Sequence, residues 1–223
     1  MEPAYPLDPK RYFVTGIGTD VGKTVAAAIL TQALQADYWK PIQAGNLEDS
    51  DTHAVQRLVT NPVSTFHPEA YKLQMPASPH TAAAAEGIRI SLDEIQAPAT
   101  KNHLVVEGAG GLMVPLNNND LVIDLIQQLG LEVILVSRNY LGSINHTLSA
   151  VEVLKYRKIP VAGIIFNGVP NASTEDFILY YTKLLRLPTI FWEDEFTPDV
   201  ITGYAQTFRE HFLPSAHELS PAR

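Results

Sequence analysis

The 223-residue sequence contains no cysteine. Disulfides, thiolate metal sites and cysteine nucleophiles are thereby excluded, which fits a reducing compartment. Basic residues are also scarce. Sixteen Lys and Arg stand against 24 Asp and Glu, giving a formal charge of −8 with no basic block anywhere. That balance argues against nucleic acid as the main partner. No apolar run approaches the roughly 18 residues of a membrane helix, so no membrane association is expected. Met1 to Pro9 lack a basic segment leading into an apolar core, so no signal peptide is expected and a cytoplasmic setting is. No repeat, low-complexity tract or linker interrupts the chain. With 46% hydrophobic residues, it reads as one globular α/β domain over residues 1–223.

Apolar runs and amphipathic segments alternate along most of that length. Residues 12–15, 37–40, 103–107, 133–136 and 161–166 read as strands. Residues 25–36, 52–59, 81–86, 121–129 and 144–156 read as helices, and the proline-bearing stretch 75–80 as an ordered loop. Continuously apolar strands alternating with helices imply a mostly parallel sheet covered by helices on both faces. In such a sheet, ligands bind beyond the carboxyl ends of strands. Gly16–Thr24, Lys40, Glu107 and Asn167 all stand at such ends, so distant segments converge on one crevice.

The stretch Gly16-Ile17-Gly18-Thr19-Asp20-Val21-Gly22-Lys23-Thr24 carries the strongest chemical signal. A strand, a glycine-rich turn and a helix opening on Gly-Lys-Thr form a phosphate-binding P-loop. Its glycines allow backbone N–H groups to face phosphate oxygens, and the helix N-terminus adds a positive dipole. Lys23 reaches the outer phosphates, and the Thr24 hydroxyl can ligate Mg²⁺. Five residues separate Gly16 from Gly22, one more than in the common P-loop pattern.

Other positions admit two readings each. Glu107 opens Glu-Gly-Ala-Gly-Gly and can hold Mg²⁺ beside the phosphates, or be a solvated carboxylate before a flexible turn. Asp51 stands before a helix, where metal binding and N-capping are equally open; Asp49 competes for the same role. Lys40, before Pro41, is either a solvated edge charge or a second cation beside transferring phosphate. The seven histidines show no zinc-ligand spacing and read as structural or surface residues. Trp39 and Trp192 read as packing residues.

Four segments taken together resemble the dethiobiotin synthetase family. They are Tyr12 to Thr24 with its longer loop spacing, Lys40-Pro41-Ile42-Gln43-Ala44-Gly45 with Ser50-Asp51, Val105-Val106-Glu107-Gly108-Ala109-Gly110-Gly111, and Leu141-Gly142-Ser143-Ile144-Asn145-His146. Ser78-Pro79-His80 also fits, and the likeness runs from about Arg11 to Val169. The resemblance implies ATP-dependent joining of CO₂ to 7,8-diaminononanoate, giving dethiobiotin, ADP and phosphate for biotin synthesis. It assigns ATP to Thr19, Asp20, Val21, Gly22, Lys23 and Thr24, with Gly108, Ala109 and Gly110 alongside. Thr24, Asp51 and Glu107 surround Mg²⁺, Lys23 and Lys40 are catalytic, and Asn167 recognises adenine. Family members are homodimers, which places Gly142, Ser143 and Asn145 at the partner's substrate.

Three departures from the family pattern stand out. Asp20 replaces a Glu, Ala44 replaces a Ser in the substrate pocket, and residues 191–195 match the nucleotide-contacting C-terminal part only loosely. Two rivals share the P-loop class. A cobyrinate-type amidoligase would require ammonia or glutamine, for which no cysteine glutaminase exists here. A partitioning-type switch ATPase would carry a further lysine early in the loop, where Gly16-Ile17-Gly18 stands, and a basic or amphipathic C-terminal tail, of which the sequence shows no sign.

Overall fold

A computed structural model describes residues 9–212. The reading of the N-terminal segment as lacking a signal peptide, and that of His217, fall on residues outside this range. A six-stranded sheet forms the centre, in the order β4-β2-β6-β1-β7-β8, and all its pairings are parallel. Its strands are β1 (Arg11–Gly16), β2 (Asp37–Trp39), β4 (Phe66–His67), β6 (Leu104–Gly111), β7 (Glu132–Arg138) and β8 (Val161–Asn167). A small parallel pair, β3 (Ile42–Ala44) and β5 (Tyr71–Leu73), stands apart. The helices are α1 (Lys23–Leu34), α2 (Asp51–Leu58), α3 (Pro79–Ala85), α4 (Val122–Leu129), α5 (Ser143–Tyr156), α6 (Ala172–Thr182) and α7 (Pro198–Phe212).

Strand residues divide between two cores by their period of two. Phe13, Leu104, Val106, Val133, Leu135, Ile164 and Phe166 pack with residues of α3, α4, α5 and α6. Tyr12, Val14, Val105, Ile134, Val136 and Ile165 pack with α1, α2 and α7. Both faces of the sheet are therefore covered, which is why its strands are apolar at consecutive positions. The expected mostly parallel α/β architecture is the one observed.

The bounds of the expected elements shift by one to four residues, α3 taking in Pro79 and His80 of the stretch expected as a loop, and two shifts bear on the site. Helix α1 begins at Lys23, within the phosphate loop, and ends before Gln35, whose left-handed φ of 51° closes it. Strand β6 does not stop at Glu107 but continues through the glycines to Gly111. Gly108 and Gly111 run close against β1; a Cβ on Gly108 would fall 2.7 Å from the Phe13 ring and one on Gly111 3.3 Å from the Gly16 carbonyl oxygen. The glycines extend the strand toward the phosphate loop, where Gly111 pairs with Gly16.

Candidate active site

The phosphate loop is anchored at its start by the Ile17 N–H, which donates to the Val136 carbonyl at 3.1 Å. It then turns through two left-handed residues, Asp20 (φ 57°) and Gly22 (φ 95°). Lys23 folds back across it and donates from Nζ to the Gly18 carbonyl at 2.9 Å. Burial pushes the Lys23 ammonium below its ordinary pKa; Glu107 and Asp51 oppose that shift, while Lys40 adds to it.

Beyond the loop, α1, α2, β2 and β6 deliver a compact polar cluster. The Thr24 hydroxyl lies 2.8 Å from Glu107 Oε1 and 3.2 Å from Asp51 Oδ1. Lys40, at the end of β2, donates to Glu107 Oε1 at 3.1 Å and forms an ion pair with Asp51 Oδ2. Tyr38, two residues earlier, donates its hydroxyl to Glu107 Oε2 at 2.8 Å. Glu107 and Lys40 are only 1% and 4% exposed, so neither is a solvated surface charge. Burial disfavours the Lys40 charge, but the Glu107 and Asp51 carboxylates outweigh it and hold the ammonium above its ordinary value. Burial, then the Glu107 charge, push the Tyr38 phenol well above its usual range, so it remains a donor.

The alternative left open for Asp51 has a structural answer. Ser50 is the N-cap of α2, accepting from the His53 N–H while His53 Nδ1 accepts from the Ser50 N–H. Asp51 is free of that task, and its carboxylate turns to Thr24 and Lys40. Its backbone N–H is held by Gln43 Oε1 at 3.3 Å. Asp49 points elsewhere and pairs with Arg57 at 2.6 Å on the surface. Thr24, Asp51 and Glu107 thus offer three hard oxygen ligands around one point, a donor set suited to a nucleotide-bound divalent cation. Among the described residues no cluster of three or more His, Cys, Asp or Glu forms a metal site.

A cleft of about 620 Å³ opens over this cluster. Thr19, Asp20, Gly22, Lys23, Thr24, Lys40, Asp51 and Glu107 line it on the phosphate side, with Ala109 and Gly110 beside them. Ile42, Gln43 and Ala44 of β3 and the loop residues Pro76 to Pro79 form the facing wall. Val21 and Gly108 stand behind the lining. Asn167 also stands outside it, donating from Nδ2 to the Val21 carbonyl at 2.8 Å. It pairs in register with Ile190, so the half-exposed Phe191 and more exposed Trp192 emerge beside it. Trp39 packs as expected, but Trp192 is 63% exposed and does not, because residues 191–197 form no regular element against the core.

Gly142, Ser143 and Asn145 do not reach this cleft. Gly142 and Asn145 border a separate hollow of about 740 Å³ with Tyr140 and Leu141, and Ser143 is buried behind it. The six described histidines have local partners: His53 in the α2 cap, His67 on Asp37, His80 on Ser78, His103 on the Lys10 N–H, His146 on Tyr140 and His211 against Phe212. The sequence reading overlooked Tyr38 and Gln43. The signal for Tyr38 was present, since a tyrosine in a central strand must find a buried partner for its hydroxyl.

This site stands on a sequence with named likenesses. The chain is 52% identical over 202 residues to the ATP-dependent dethiobiotin synthetase BioD of Christiangramia forsetii, covering 91% of this chain and 97% of that protein. The chain belongs to the ATP-dependent dethiobiotin synthetase family. Another member, BioD of Cytophaga hutchinsonii, is 53% identical, with 88% of this chain and 95% of that protein covered. Residues 10–200 also match the AAA domain family. Among solved structures, the septum site-determining protein MinD of Pyrococcus horikoshii, complexed with Mg-ADP, superposes with a TM-score of 0.61 at 15% identity, over 97% of this chain and all of that one. A putative plasmid partition protein of Borrelia burgdorferi bound to AMPPNP gives 0.57 at 15% identity, over 93% and 99% of the two chains. These two likenesses establish a shared fold. Family membership makes the chain an ATP-dependent ligase, and within the described residues no helix is long and apolar enough to cross a membrane.

Proposed function

We propose that the chain joins CO₂ to 7,8-diaminononanoate with ATP, forming dethiobiotin, ADP and phosphate in biotin biosynthesis. One observation carries this reading: two lysines, a threonine and two carboxylates from four elements converge on one cleft, in a chain half identical to dethiobiotin synthetases. The chain acts as one domain, in the cytoplasm, on small molecules; its charge of −8 disfavours nucleic acid.

The family resemblance implies the chemistry, and the cluster suits it. One substrate amine adds to CO₂ and loses a proton, giving a carbamate. A carbamate oxygen attacks the γ-phosphorus and ADP leaves, forming a carbamic–phosphoric anhydride. The second amine then attacks the carbonyl carbon, closing the five-membered urea and expelling phosphate; the reaction is fast because both groups share one molecule. Lys23 holds the outer phosphates, and Lys40 counters the charge that builds on the phosphoryl oxygens and the carbamate. Thr24, Asp51 and Glu107 would hold Mg²⁺, the Thr24 hydroxyl donating its hydrogen bond to Glu107 while leaving its lone pairs for the cation. When bound with ATP, Mg²⁺ supplies charge neutralisation at the phosphates. Ala44 lines the substrate end without a hydroxyl. Asn167 would recognise the adenine.

The same reading makes the protein a homodimer in which Gly142, Ser143 and Asn145 serve the partner's cleft; Gly142 and Asn145 line a separate open hollow and not their own cleft, which supports this. The amidoligase reading is not favoured, and the partition ATPases share the fold at 15% identity. The decisive experiment measures phosphate release with diaminononanoate and bicarbonate supplied together or singly, and the product by mass spectrometry. Release should require both, and Lys40→Ala should abolish it. ATP turnover indifferent to the diamine would sink the reading.

A further inference from the structure

Tyr38 is fully buried in β2, with its backbone paired to Val105 on one side and Phe66 on the other. Its ring packs against Phe66 at a centroid distance of 6.1 Å. A phenylalanine would fill that space equally well, so packing accounts for every atom but the hydroxyl. That hydroxyl lies 2.8 Å from Glu107 Oε2. Thr24 and Lys40 both approach Oε1, and among the described residues Tyr38 alone donates to Oε2.

We propose that Tyr38 is a positioning residue: its hydroxyl pins Oε2 so that Oε1 is presented to Thr24, Lys40 and the cation accompanying the nucleotide. The inference rests on the reading of Glu107 as a ligand of that cation. A carboxylate has about four acceptor sites and swings freely about its last torsion unless donors hold both oxygens. Lys40 and Thr24 cannot hold it alone, because both face the side on which the cation binds. Lys40 already brings one positive charge to Oε1, and a phenol on the far side donates one hydrogen bond without adding a second. Outer partners of this kind orient ligating carboxylates, and their loss typically weakens metal binding.

The test measures how far MgCl₂ tightens binding of a non-hydrolysable ATP analogue, by calorimetry with and without the metal. Tyr38→Phe should reduce that tightening, and raise the MgCl₂ concentration for half-maximal effect, by about 10-fold. Binding without metal should stay within about twofold of wild type, because no phosphate contact changes. Replacing Tyr38 with 4-aminophenylalanine, which keeps ring and donor, should return the metal effect to within about threefold. It also serves as the deciding variant if the phenylalanine form does not fold: a metal effect there as weak as in Glu107→Gln overturns the proposal. A Tyr38→Phe protein that melts lower yet keeps the full Mg²⁺ effect also overturns it, since the hydroxyl would then be structural only. Glu107→Gln separates the two levels. If it retains the Mg²⁺ effect, the assignment of Glu107 falls and the inference with it; if it loses the effect and Tyr38→Phe does not, the inference alone falls.

Discussion

Asn167 braces the phosphate loop: its Nδ2 donates to the Val21 carbonyl at 2.8 Å, directly against Gly22. A Cβ on Gly22 would fall 2.9 Å from Asn167 Cγ and closer still to its Nδ2, and the residue holds φ of 95°. Gly22→Ala therefore meets both a strained backbone and a blocked neighbour. It should cost about 2–3 kcal/mol of stability and weaken nucleotide binding at least about tenfold. Adding Asn167→Ala removes the clash but not the strain. Urea unfolding of the double variant should recover part of the loss; full recovery would show that φ strain contributes nothing.

The two lysines of the site should part company with pH. Burial lowers the pKa of Lys23, whereas the Asp51 and Glu107 carboxylates raise that of Lys40 despite its burial. As pH rises, Lys23 loses its charge below the ordinary lysine value of about 10.4, while Lys40 is still protonated. Nucleotide affinity should thus fall on the alkaline side before Lys40 gives up its charge. Titrating a fluorescent ATP analogue between pH 7 and 10 checks this. In Lys23→Ala the affinity should be weak throughout, without that alkaline decline.

Much of this arrangement was legible in the sequence, for physical reasons that also explain the gaps. The strands at 133–136 and 161–166 could be read because burial on both faces leaves continuous apolar runs. The loop could be read because phosphate chemistry demands Gly-Lys-Thr at a helix start. β3, β4 and β5 were missed because strands of two or three residues carry no usable period; β2, equally short, could be read because Pro41 marks its end. α6 and α7 were missed although Ile201, Ala205 and Phe208 are spaced for one helical face, since the flanking residues are mixed. The Tyr38–Glu107 hydrogen bond joins residues 69 positions apart, and no local spacing rule reaches that far. Structural likeness carries less about chemistry: partition and septum-site ATPases share this fold at 15% identity, whereas Lys40 and Glu107 belong to the site itself.

At the opposite end of β2, Asp37 ties three segments together. It accepts from the Thr65 N–H and Asn102 Nδ2, and lies 3.1 Å from His67 Nε2. Burial works against its charge, but the hydrogen bonds from Thr100, Thr65, His67 and Asn102 prevail and hold its pKa below the usual value. A depressed carboxyl contributes stability that is present above the unfolded pKa of about 3.9 and is lost as pH falls through the lower folded value. Asp37→Leu leaves those donors without an acceptor and should cost about 1–3 kcal/mol at pH 7. Denaturation midpoints at pH 7 and pH 3 should show the gap between variant and wild type narrowing in acid. An unchanged gap would mean that Asp37 acts through packing alone.

Glu175 gives the last expectation. It is 1% exposed on α6 and receives Arg186 Nη2 at 2.6 Å, Asn139 Nδ2 at 2.7 Å and the Asn171 N–H at 3.0 Å. Asn139 also donates to the Val169 carbonyl at 3.1 Å, and its neighbour Arg138 donates to the Asp20 carbonyl at 3.3 Å. One buried carboxylate thus fixes the turn leading to Gly142 and Asn145, while Arg138 links the same turn to the phosphate loop. Glu175→Gln keeps the volume but removes the charge facing Arg186 and one acceptor. Because Arg186 is partly exposed, the stability loss should stay near about 2 kcal/mol. If Gly142 and Asn145 contact the diamine, its KM should rise about 5- to 10-fold with kcat and the KM for ATP little changed, because loosening the turn weakens only contacts made equally in ground and transition states. Steady-state kinetics with each substrate varied separately provides the check. An equal loss in both KM values would place the effect in the phosphate loop, through Arg138, and not in the turn.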